Sequence, residues 1–392
     1  MNIAIAGAGI GGLAAACLLH DRGHDVVVYD RFDTPLPVGS GLVIQPVGLD
    51  VLDEIGIGTL VRGGSAEITR MLGHEVETGR PVLDVSYGTR PGLGIHRAIL
   101  FDALLTAVRA RQIPLRTGAE IIGHDKQTLL TPDGPEARAD LIVDACGAGS
   151  PLSPLVSRPL PYGAIWGTVD WPDQTTLPRG RLTQRYRRAD RMIGVLPLGP
   201  APGGHVAQAA LFWSLPAGPG YAGWTSGGLA SWQREAMALW PEVGPFIGQI
   251  TDPARMTMAR YTHGTLARPW GNGIVHIGDA AHRASPQLGQ GANMALLDAA
   301  ALARALEIGH PGDALRAYAL ARRWHVRIYQ AMSAAFTPQY QSDSRWLPVL
   351  RDRVLFPLSR IPPLPRVLSH LVSGTMIPPM ASLESHPRHG KD

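Results

Sequence analysis

A glycine cluster near the start of the chain has the residue types and spacing of a dinucleotide-binding turn. Gly7, Gly9 and Gly12 form the pattern G-x-G-x-x-G, and Gly11 lies within it. The first glycine permits a tight turn, the second lets the backbone approach a pyrophosphate, and the third lets the next helix lie close to the sheet. Amides at the start of that helix would face the anion. The pattern predicts dinucleotide binding without separating NAD from FAD.

The elements around these glycines are the ones that the chemistry requires. Residues 2–6 have the composition of a short buried strand, and residues 13–22 that of a tightly packed helix. A second apolar strand over residues 25–29 ends at Asp30, about 20 residues beyond the glycines, where a carboxylate can accept hydrogen bonds from ribose hydroxyls. Arg31 could favour an additional phosphate or could be an ordinary surface arginine. One nucleotide-binding fold is expected, because no second G-x-G-x-x-G follows.

A second chemically suggestive segment lies past the midpoint of the chain. The run GIVHIGDAAHRASPQLGQGAN over residues 273–293 predicts a strand, an acidic turn, a proline loop and a helix that continues to about Leu306. Asp279, at the end of the strand, can hydrogen-bond a polyol chain. The amides from Gly289 to Asn293 can stabilise negative charge on a reduced ring.

At this segment the sequence resembles the class A flavoprotein monooxygenases, the para-hydroxybenzoate hydroxylase family. The similarity extends through residues 39–46 and 97–104, and covers most of residues 1–155 and 265–330. It implies an α/β fold: a discontinuous Rossmann-like FAD-binding domain of the GR2 type, a mostly antiparallel β-sheet substrate domain and a C-terminal helical segment.

The same resemblance divides the chain into three parts. The FAD-binding domain would comprise 1–70, 95–157 and 265–335, and the substrate-binding sheet 71–94 and 158–264. Alternating apolar segments in the second of these sheet regions agree with that assignment. A C-terminal helical cap and tail would occupy 336–392.

Site residues follow from the family motifs, position by position. Asp279 would bind the ribitol, Pro286 would lie beside the isoalloxazine ring, and Gln45 and Arg97 would line the phosphate and ring surroundings. The complete set of expected FAD-binding residues is Gly7, Gly9, Gly11, Gly12, Asp30, Arg31, Gln45, Arg97, Gly278, Asp279, Pro286, Gly289, Gln290, Gly291, Ala292 and Asn293. The expected walls of the substrate pocket are Tyr162, Trp166, Tyr186 and Trp213, each of which could instead be ordinary core.

The activity that the resemblance implies is an FAD-dependent hydroxylation. One oxygen atom of O2 would enter an aromatic or other electron-rich small molecule through a flavin hydroperoxide, with electrons from NAD(P)H. Because the flavin carries the difficult step, no catalytic side chain is assigned. His96 and His282 could relay protons, but a structural role is the expectation for both.

The chain departs from the family pattern in one motif. Cys146 stands where the family has Asp, and Ser153 stands where it has an Arg assigned to FAD and NAD(P)H handling. One alternative is therefore the same oxygen chemistry with electrons or reduced flavin from a separate reductase. Another is a dehydrogenase, a reductase or a flavin-binding module without oxygenase activity. Cys146 itself is most simply a small, near-apolar residue.

The composition of the chain limits which kinds of partner are expected, among nucleic acids, metal ions and membranes. The formal net charge of +4 is spread over scattered arginines, which does not indicate nucleic-acid binding, and the two cysteines lack the spacing of metal ligands. No apolar run reaches the roughly 18 residues that span a membrane, so a cytoplasmic protein is expected. Peripheral membrane contact through the apolar C-terminal region is the lesser expectation and would suit a lipid-like substrate.

Overall fold

The computed structural model of the protein describes residues 1–34, 40–226, 228–271, 273–380 and 383. Gly39, the first residue of one family-like segment, lies outside these ranges. The strands are β1 (Asn2–Ala6), β2 (Asp25–Tyr29), β3 (Gly41–Ile44), β4 (Ser65–Ile68), β5 (Arg70–Glu75), β6 (Pro81–Ser86), β7 (Gly92–His96), β8 (Leu115–Arg116), β9 (Gly123–Asp125), β10 (Thr128–Thr131), β11 (Gly134–Arg138), β12 (Leu141–Asp144), β13 (Arg158–Asp170), β14 (Arg181–Arg187), β15 (Arg191–Pro200), β16 (Ala207–Pro216), β17 (Thr257–Thr265), β18 (Trp270–Gly271), β19 (Ile274–His276) and β20 (His282–Arg283).

Helices connect these strands and close the C-terminal part. They are α1 (Ile10–His20), α2 (Pro46–Ile55), α3 (Gly58–Gly63), α4 (Arg97–Ala110), α5 (Pro219–Thr225), α6 (Leu229–Leu239), α7 (Gly244–Ile247), α8 (Gly291–Ala305), α9 (Pro311–Tyr340), α10 (Leu347–Leu350), α11 (Phe356–Ser359) and α12 (Leu364–Ser373). Short 3-10 turns occur at Gly147–Gly149, Pro241–Val243, Pro253–Arg255, Gly278–Ala280 and Pro286–Leu288, and a π-helical turn at Arg351–Leu355. No helix among the described ranges is both long and apolar enough to cross a membrane.

Two large sheets dominate the architecture. In the first, the order is β18-β19-β12-β1-β2-β8, and every neighbouring pair is parallel except β18 with β19. In the second, the order is β20-β17-β13-β16-β15-β14-β5-β6, and only β14 and β5 run parallel. Parallel sheets need helices on their faces, and helices α1, α4 and α8 supply that cover. The structure confirms the predicted α/β fold class with a second, mostly antiparallel sheet.

The second glycine-bearing segment belongs to both sheets. Its strand β19 pairs with β12 in the parallel sheet, whereas β20 pairs with β17 in the antiparallel sheet. The acidic turn Gly278–Ala280 lies between these two short strands. A single stretch of about ten residues therefore joins the parallel sheet to the antiparallel sheet, and the position of its turn is determined from both sides.

The strands lie close to the predicted domain ranges. The division predicted after residue 335 falls inside α9, which continues to Tyr340. Residues 381, 382 and 384–392 of the expected tail lie outside the described residues. The domain boundaries stay a prediction.

Helix α9 holds the C-terminal segment in place through buried polar groups. The Nε2 atom of His325 lies 3.1 Å from the carbonyl oxygen of Gly374, and the Tyr329 hydroxyl donates to the carbonyl of Leu371 at 2.9 Å. Burial, together with the nearby charge of Arg322, lowers the pKa of His325 to about 3. His325 is therefore neutral in the folded protein at neutral pH.

From the lowered pKa of His325 we predict that the free energy of unfolding decreases at acidic pH. Between about pH 6.5 and pH 3 the unfolded chain binds a proton at His325 and the folded chain does not. The free energy of unfolding should fall on acidification through that window, by at most about 1.4 kcal/mol per pH unit from this residue. Denaturant unfolding of wild type and His325→Gln from pH 7 to pH 4 should show a shallower dependence in the variant. Parallel curves would contradict the assignment.

Candidate functional site

The first glycine turn is fixed by close backbone approaches. Gly7 has φ +103°, and a Cβ added there would lie 2.5 Å from the carbonyl oxygen of Ala145 on the neighbouring strand end. A Cβ added at Gly12 would overlap the carbonyl oxygen of Gly7. Both glycines are therefore required for the turn from β1 into α1 to form against the sheet.

Gly9 differs from these two because it faces open space. It caps the N-terminus of α1, and a Cβ added to it would meet nothing within 4 Å. Asp30 is held at the edge of the turn, where its carboxylate accepts from the amide of Ala8 at 2.7 Å and from that of Phe32 at 3.0 Å. Arg31 is exposed and lies over the Phe32 ring. An open helix N-terminus beside a carboxylate fits a pyrophosphate and ribose.

The two glycine-bearing bends, which are far apart in sequence, meet at one residue of α8. A Cβ added at Gly11 would lie 3.2 Å from the Cβ of Ala295, and one added at Gly278 would lie 3.1 Å from the same atom. Only side chains as small as glycine and alanine allow this approach. The first and second sequence motifs therefore form one site.

A buried carboxylate positions the acidic turn. Asp298 of α8 accepts from the amide of Gly278 at 2.8 Å, from His282 at 2.7 Å and from Arg322 at 2.7 Å. Burial alone would raise its pKa, but the charges of His282 and Arg322 and their hydrogen bonds hold the pKa of Asp298 well below its usual range. Its fixed charge holds the turn that presents Asp279, and His282 has a structural partner. His96 likewise caps α4 by accepting from the amide of Ala98.

A cavity of about 450 Å³ opens between this turn and the antiparallel sheet. Asp279 and Arg97 are both part of its wall, and neither side chain has a hydrogen-bond or ion-pair partner among the residues that the structure describes. Desolvation at the cavity wall raises the pKa of the Asp279 carboxyl and lowers that of the Arg97 guanidinium, although both residues keep an accessible surface. Both are thus free to bind the hydroxyls and anionic groups of a flavin nucleotide, so the residues fit FAD.

The loop before α8 forms the adjoining part of the cavity wall. Pro286, Gly289, Gly291 and Ala292 lie on it, and a Cβ added at Gly291 would meet nothing within 4 Å. These backbone groups at the start of α8 could face a ring that carries negative charge.

Three further residues of the expected FAD-binding set hold this loop in place. The Gln45 side chain donates to the carbonyl of Leu288 at 2.8 Å, and its carbonyl oxygen accepts from Gln290. Asn293 is fully buried. Its side chain accepts from the backbone N–H of Gln45 and donates to the backbone carbonyl of Val43. These side-chain amides bind protein groups and thereby shape the loop, while Gln290 also lines the cavity and its Oε1 atom has no hydrogen-bond partner among the described residues.

One row of residues crosses the antiparallel sheet along the opposite wall. Strand register places Gln184, Gly194, Phe212, Trp166 and Thr257 side by side on five neighbouring strands. All of them except Gly194 line the cavity. A Cβ at Gly194 would overlap the Phe212 ring, so the glycine lets that ring lie across the sheet. The Phe212 and Trp166 rings are 4.8 Å apart.

Trp166 is the one predicted pocket residue of four that lies on the cavity. Trp213 follows Phe212 and so points to the other face, where it packs edge-on against Trp232. Tyr186 is buried against Tyr340 and does not line the cavity. Tyr162 is buried and donates its hydroxyl to Asp343 at 2.6 Å.

Sequence reasoning missed several cavity residues, among them Phe212, Gln184 and Tyr261. The Tyr261 hydroxyl accepts from the Trp166 indole at 3.0 Å. Gln184 is buried, and its carbonyl oxygen Oε1 has no hydrogen-bond partner within the described ranges. The two-residue alternation of strands β14 and β16 separates the two faces, but which face carries the cavity depends on the strand register, which the sequence leaves open.

The structure also shows the surroundings of Ser153 and Cys146, the two residues that depart from the family pattern. Ser153 donates its hydroxyl to the carbonyl of Ala280, next to Asp279. Cys146 is half-buried, and burial with the nearby charges of Asp144 and Asp30 raises the pKa of its thiol. The thiol therefore stays protonated, which does not suit a nucleophile.

Comparison with known proteins gives one consistent result. The profile of a family described as the FAD binding domain matches residues 1–151 and 231–323. The 3-amino-4-hydroxybenzoate 2-monooxygenase of Streptomyces cremeus is 28% identical over 347 residues, covering 81% of this chain and 82% of that protein. An FAD-dependent urate hydroxylase of Mycolicibacterium vanbaalenii is 27% identical, covering 98% and 100%.

Solved structures share the fold. A variant of 2-methyl-3-hydroxypyridine-5-carboxylic acid oxygenase superposes with a TM-score of 0.79 at 22% identity, covering 95% of this chain and 96% of the other. A Klebsiella pneumoniae protein crystallised with FAD and uric acid gives a TM-score of 0.80 at 21% identity, covering 96% and 97%. At these identities the likeness concerns the architecture of the chain.

The glycine turn yields a matched pair of variants. Gly9→Ala places a methyl group in open space, so the apoprotein should lose no more than about 1 kcal/mol of stability, while its FAD dissociation constant should rise about tenfold as pyrophosphate approach is blocked. Gly12→Ala should instead destabilise the protein itself, because its methyl group overlaps Gly7. Thermal unfolding of apoprotein and fluorescence titration with FAD separate the two effects. Unchanged FAD affinity in Gly9→Ala would show that the pyrophosphate does not bind beside Gly9.

Proposed function

The chain belongs to the FAD binding domain family, and from that membership we propose that it is an FAD-dependent monooxygenase that hydroxylates an aromatic or similarly electron-rich small molecule. The overall reaction consumes the substrate, O2, NAD(P)H and a proton, and yields hydroxylated substrate, water and NAD(P)+. Relatives along most of the chain are named as monooxygenases and hydroxylases. The observation that carries the proposal is the single cavity that joins the unpaired Asp279 and Arg97 to an aromatic-lined sheet.

The residues of the nucleotide half would bind and orient the cofactor. The α1 N-terminus with Gly9 would hold the pyrophosphate, Asp30 a ribose, Asp279 the polyol chain, and Arg97 an anionic or ring group. When bound, FAD supplies the redox chemistry by accepting electrons from NAD(P)H and activating O2. The loop held by Gln45, Gln290 and Asn293 would keep the α8 amides directed at the ring.

The sheet half would bind the substrate and exclude water. Its lining residues carry no charged side chain: they are Met71, Trp166, Leu182, Gln184, Met192, Leu196, Phe212, Thr257, Ala259 and Tyr261. A carboxylate on the substrate would be left without a cation on this wall, which is costly in a buried site. A neutral ring packed on Trp166 and Phe212 fits this wall better than a benzoate does.

Gln184 would supply the directional contact. Its unpartnered Oε1 can accept a hydrogen bond from a hydroxyl or N–H group of the substrate. Such a contact is worth about 0.5–1.5 kcal/mol net when neither partner is charged. It would orient a ring that the surrounding apolar surface holds only loosely.

The source of the electrons has two candidates. Direct reduction by NAD(P)H is the leading one. Ser153 occupies the position of the family arginine and is engaged with the carbonyl of Ala280, which favours a separate reductase as the second. A dehydrogenase or reductase without oxygenase activity is the third outcome that an assay must distinguish.

The purified holoenzyme tests these alternatives. Anaerobic NADH or NADPH should bleach the visible absorption of bound FAD, and in air a panel of neutral phenols and N-heteroaromatics should include compounds that stimulate NAD(P)H oxidation with matching O2 uptake and a hydroxylated product. If NAD(P)H does not bleach the bound FAD and an added flavin reductase restores activity, the electrons come from a separate reductase and not directly from NAD(P)H. Turnover of the same compounds without O2 would overturn the monooxygenase assignment.

The role of Gln184 predicts a change in substrate affinity. With the most stimulating compound of that panel, Gln184→Leu should raise KM about threefold to tenfold through loss of one uncharged hydrogen bond, with FAD content unchanged. Gln208→Leu is the control, since Gln208 lies outside the cavity lining on β16. Equal KM values in wild type and Gln184→Leu would show that Gln184 does not contact the substrate.

A further inference from the structure

Half of the exposed large apolar side chains lie in one short stretch of the chain. Among the residues that the structure describes, eighteen large apolar side chains are exposed, and nine of these fall between Trp346 and Val367. Trp346 is 82% exposed and Ile361 is 55% exposed. Exposed apolar groups scattered singly are normal, but a concentration of this kind marks a surface that contacts something apolar.

The geometry of the segment places these side chains on one face. Residues 347–359 form a continuous helical stretch through α10, the π-helical turn and α11. Trp346, Leu350, Val354 and Leu358 recur every four residues, so they project in similar directions. We call this face, with Ile361 and Val367 beyond it, the apolar C-terminal face.

The opposite side of the stretch is anchored to the body of the protein. Pro348 and Arg351 are buried. The guanidinium of Arg351 lies over the rings of Tyr186 and Tyr340 and donates to the carbonyl oxygens of Arg188 and Gln339. The apolar C-terminal face is thus held outward by a fixed inner side.

Unpaired positive charges flank the face. Arg345, Arg353, Arg360 and Arg366 are exposed. Within the described ranges none of them forms a hydrogen bond or ion pair through its side chain. The nearby carboxylates have other partners, since Asp343 accepts from Tyr162 and Asp352 from Arg351. An apolar face bordered by arginines is complementary to a lipid surface that carries negative headgroups.

We propose that the apolar C-terminal face binds peripherally to an anionic lipid surface. The apolar side chains enter the boundary between headgroups and acyl chains, and the four arginines lie against the headgroup phosphates, with Trp346 at the interface. A second copy of the chain is a poorer occupant. A two-fold interface built on this face would bring the same unpaired arginines of both copies together.

Vesicle sedimentation of the FAD-loaded full chain tests the proposal. Wild type should sediment with vesicles of phosphatidylcholine containing phosphatidylglycerol, and binding should weaken at least about tenfold on pure phosphatidylcholine or in high salt. The variant Trp346→Ser/Leu350→Ser/Leu358→Ser should lose binding with its visible FAD spectrum unchanged. The matched control Leu60→Ser/Val156→Ser/Val206→Ser removes three exposed apolar side chains elsewhere and should bind as wild type does.

Charge is tested separately with Arg353→Gln/Arg360→Gln/Arg366→Gln, for which binding to the anionic vesicles should fall about tenfold or more. Wild type that stays in solution with anionic vesicles at low salt would overturn the proposal. Equal binding of wild type and the serine variant would also overturn it. Self-association of the protein is a further outcome that would overturn the proposal, and sedimentation velocity without lipid measures it. This outcome requires that wild type self-associates, that the serine variant does not, and that the vesicles bind neither protein.

Discussion

Close packing against Ala295 of helix α8 is the constraint on which the site depends. The first glycine bend approaches this methyl group at Gly11 and the second at Gly278, so closely that a Cβ added at either glycine would force Ala295 to shift by a few tenths of an ångström. Asp298, one helical turn further on, fixes the same bend by charge and hydrogen bonds. The helix therefore sets the distance between the pyrophosphate end of the site and the acidic turn. The cavity, the loop before α8 and the antiparallel sheet are all positioned from there.

The cavity combines two chemically different halves. Near the acidic turn it contains the unpaired charges of Asp279 and Arg97, whereas the sheet wall is aromatic, aliphatic and uncharged. This division corresponds to two tasks, since a nucleotide needs charged and hydrogen-bonding groups, and a ring to be oxidised needs a dry surface. Relatives whose names specify benzoates act on carboxylate-bearing compounds. Among the described residues, the sheet wall of this chain offers no matching cation.

How far the sequence predicts the site depends on the kind of signal. β1 and β2 occupy the ranges that their composition indicated, and the acidic turn with its helix was placed to within about a residue, because glycines at fixed spacing encode a backbone path. The sheet wall was not predictable in this way. Trp213 and Phe212 are neighbours of similar type, and only the pairing of β16 with β13 and β15 determines which of them meets the cavity. Gln45 and Asn293 carried a family signal, and their buried hydrogen bonds add a role in holding the loop that the sequence did not predict.

The row from Gln184 to Thr257 has a consequence for how such a protein can diverge. Its five members come from five strands that lie about 4.8 Å apart, so the row spans roughly 19 Å of the sheet wall. Gly194 has to lack a Cβ to leave room for the Phe212 ring, whereas the other four residues line the cavity and none of them belongs to the glycine bends. A new preference for ring size or substituents could therefore evolve one strand at a time, while the nucleotide grip is inherited intact.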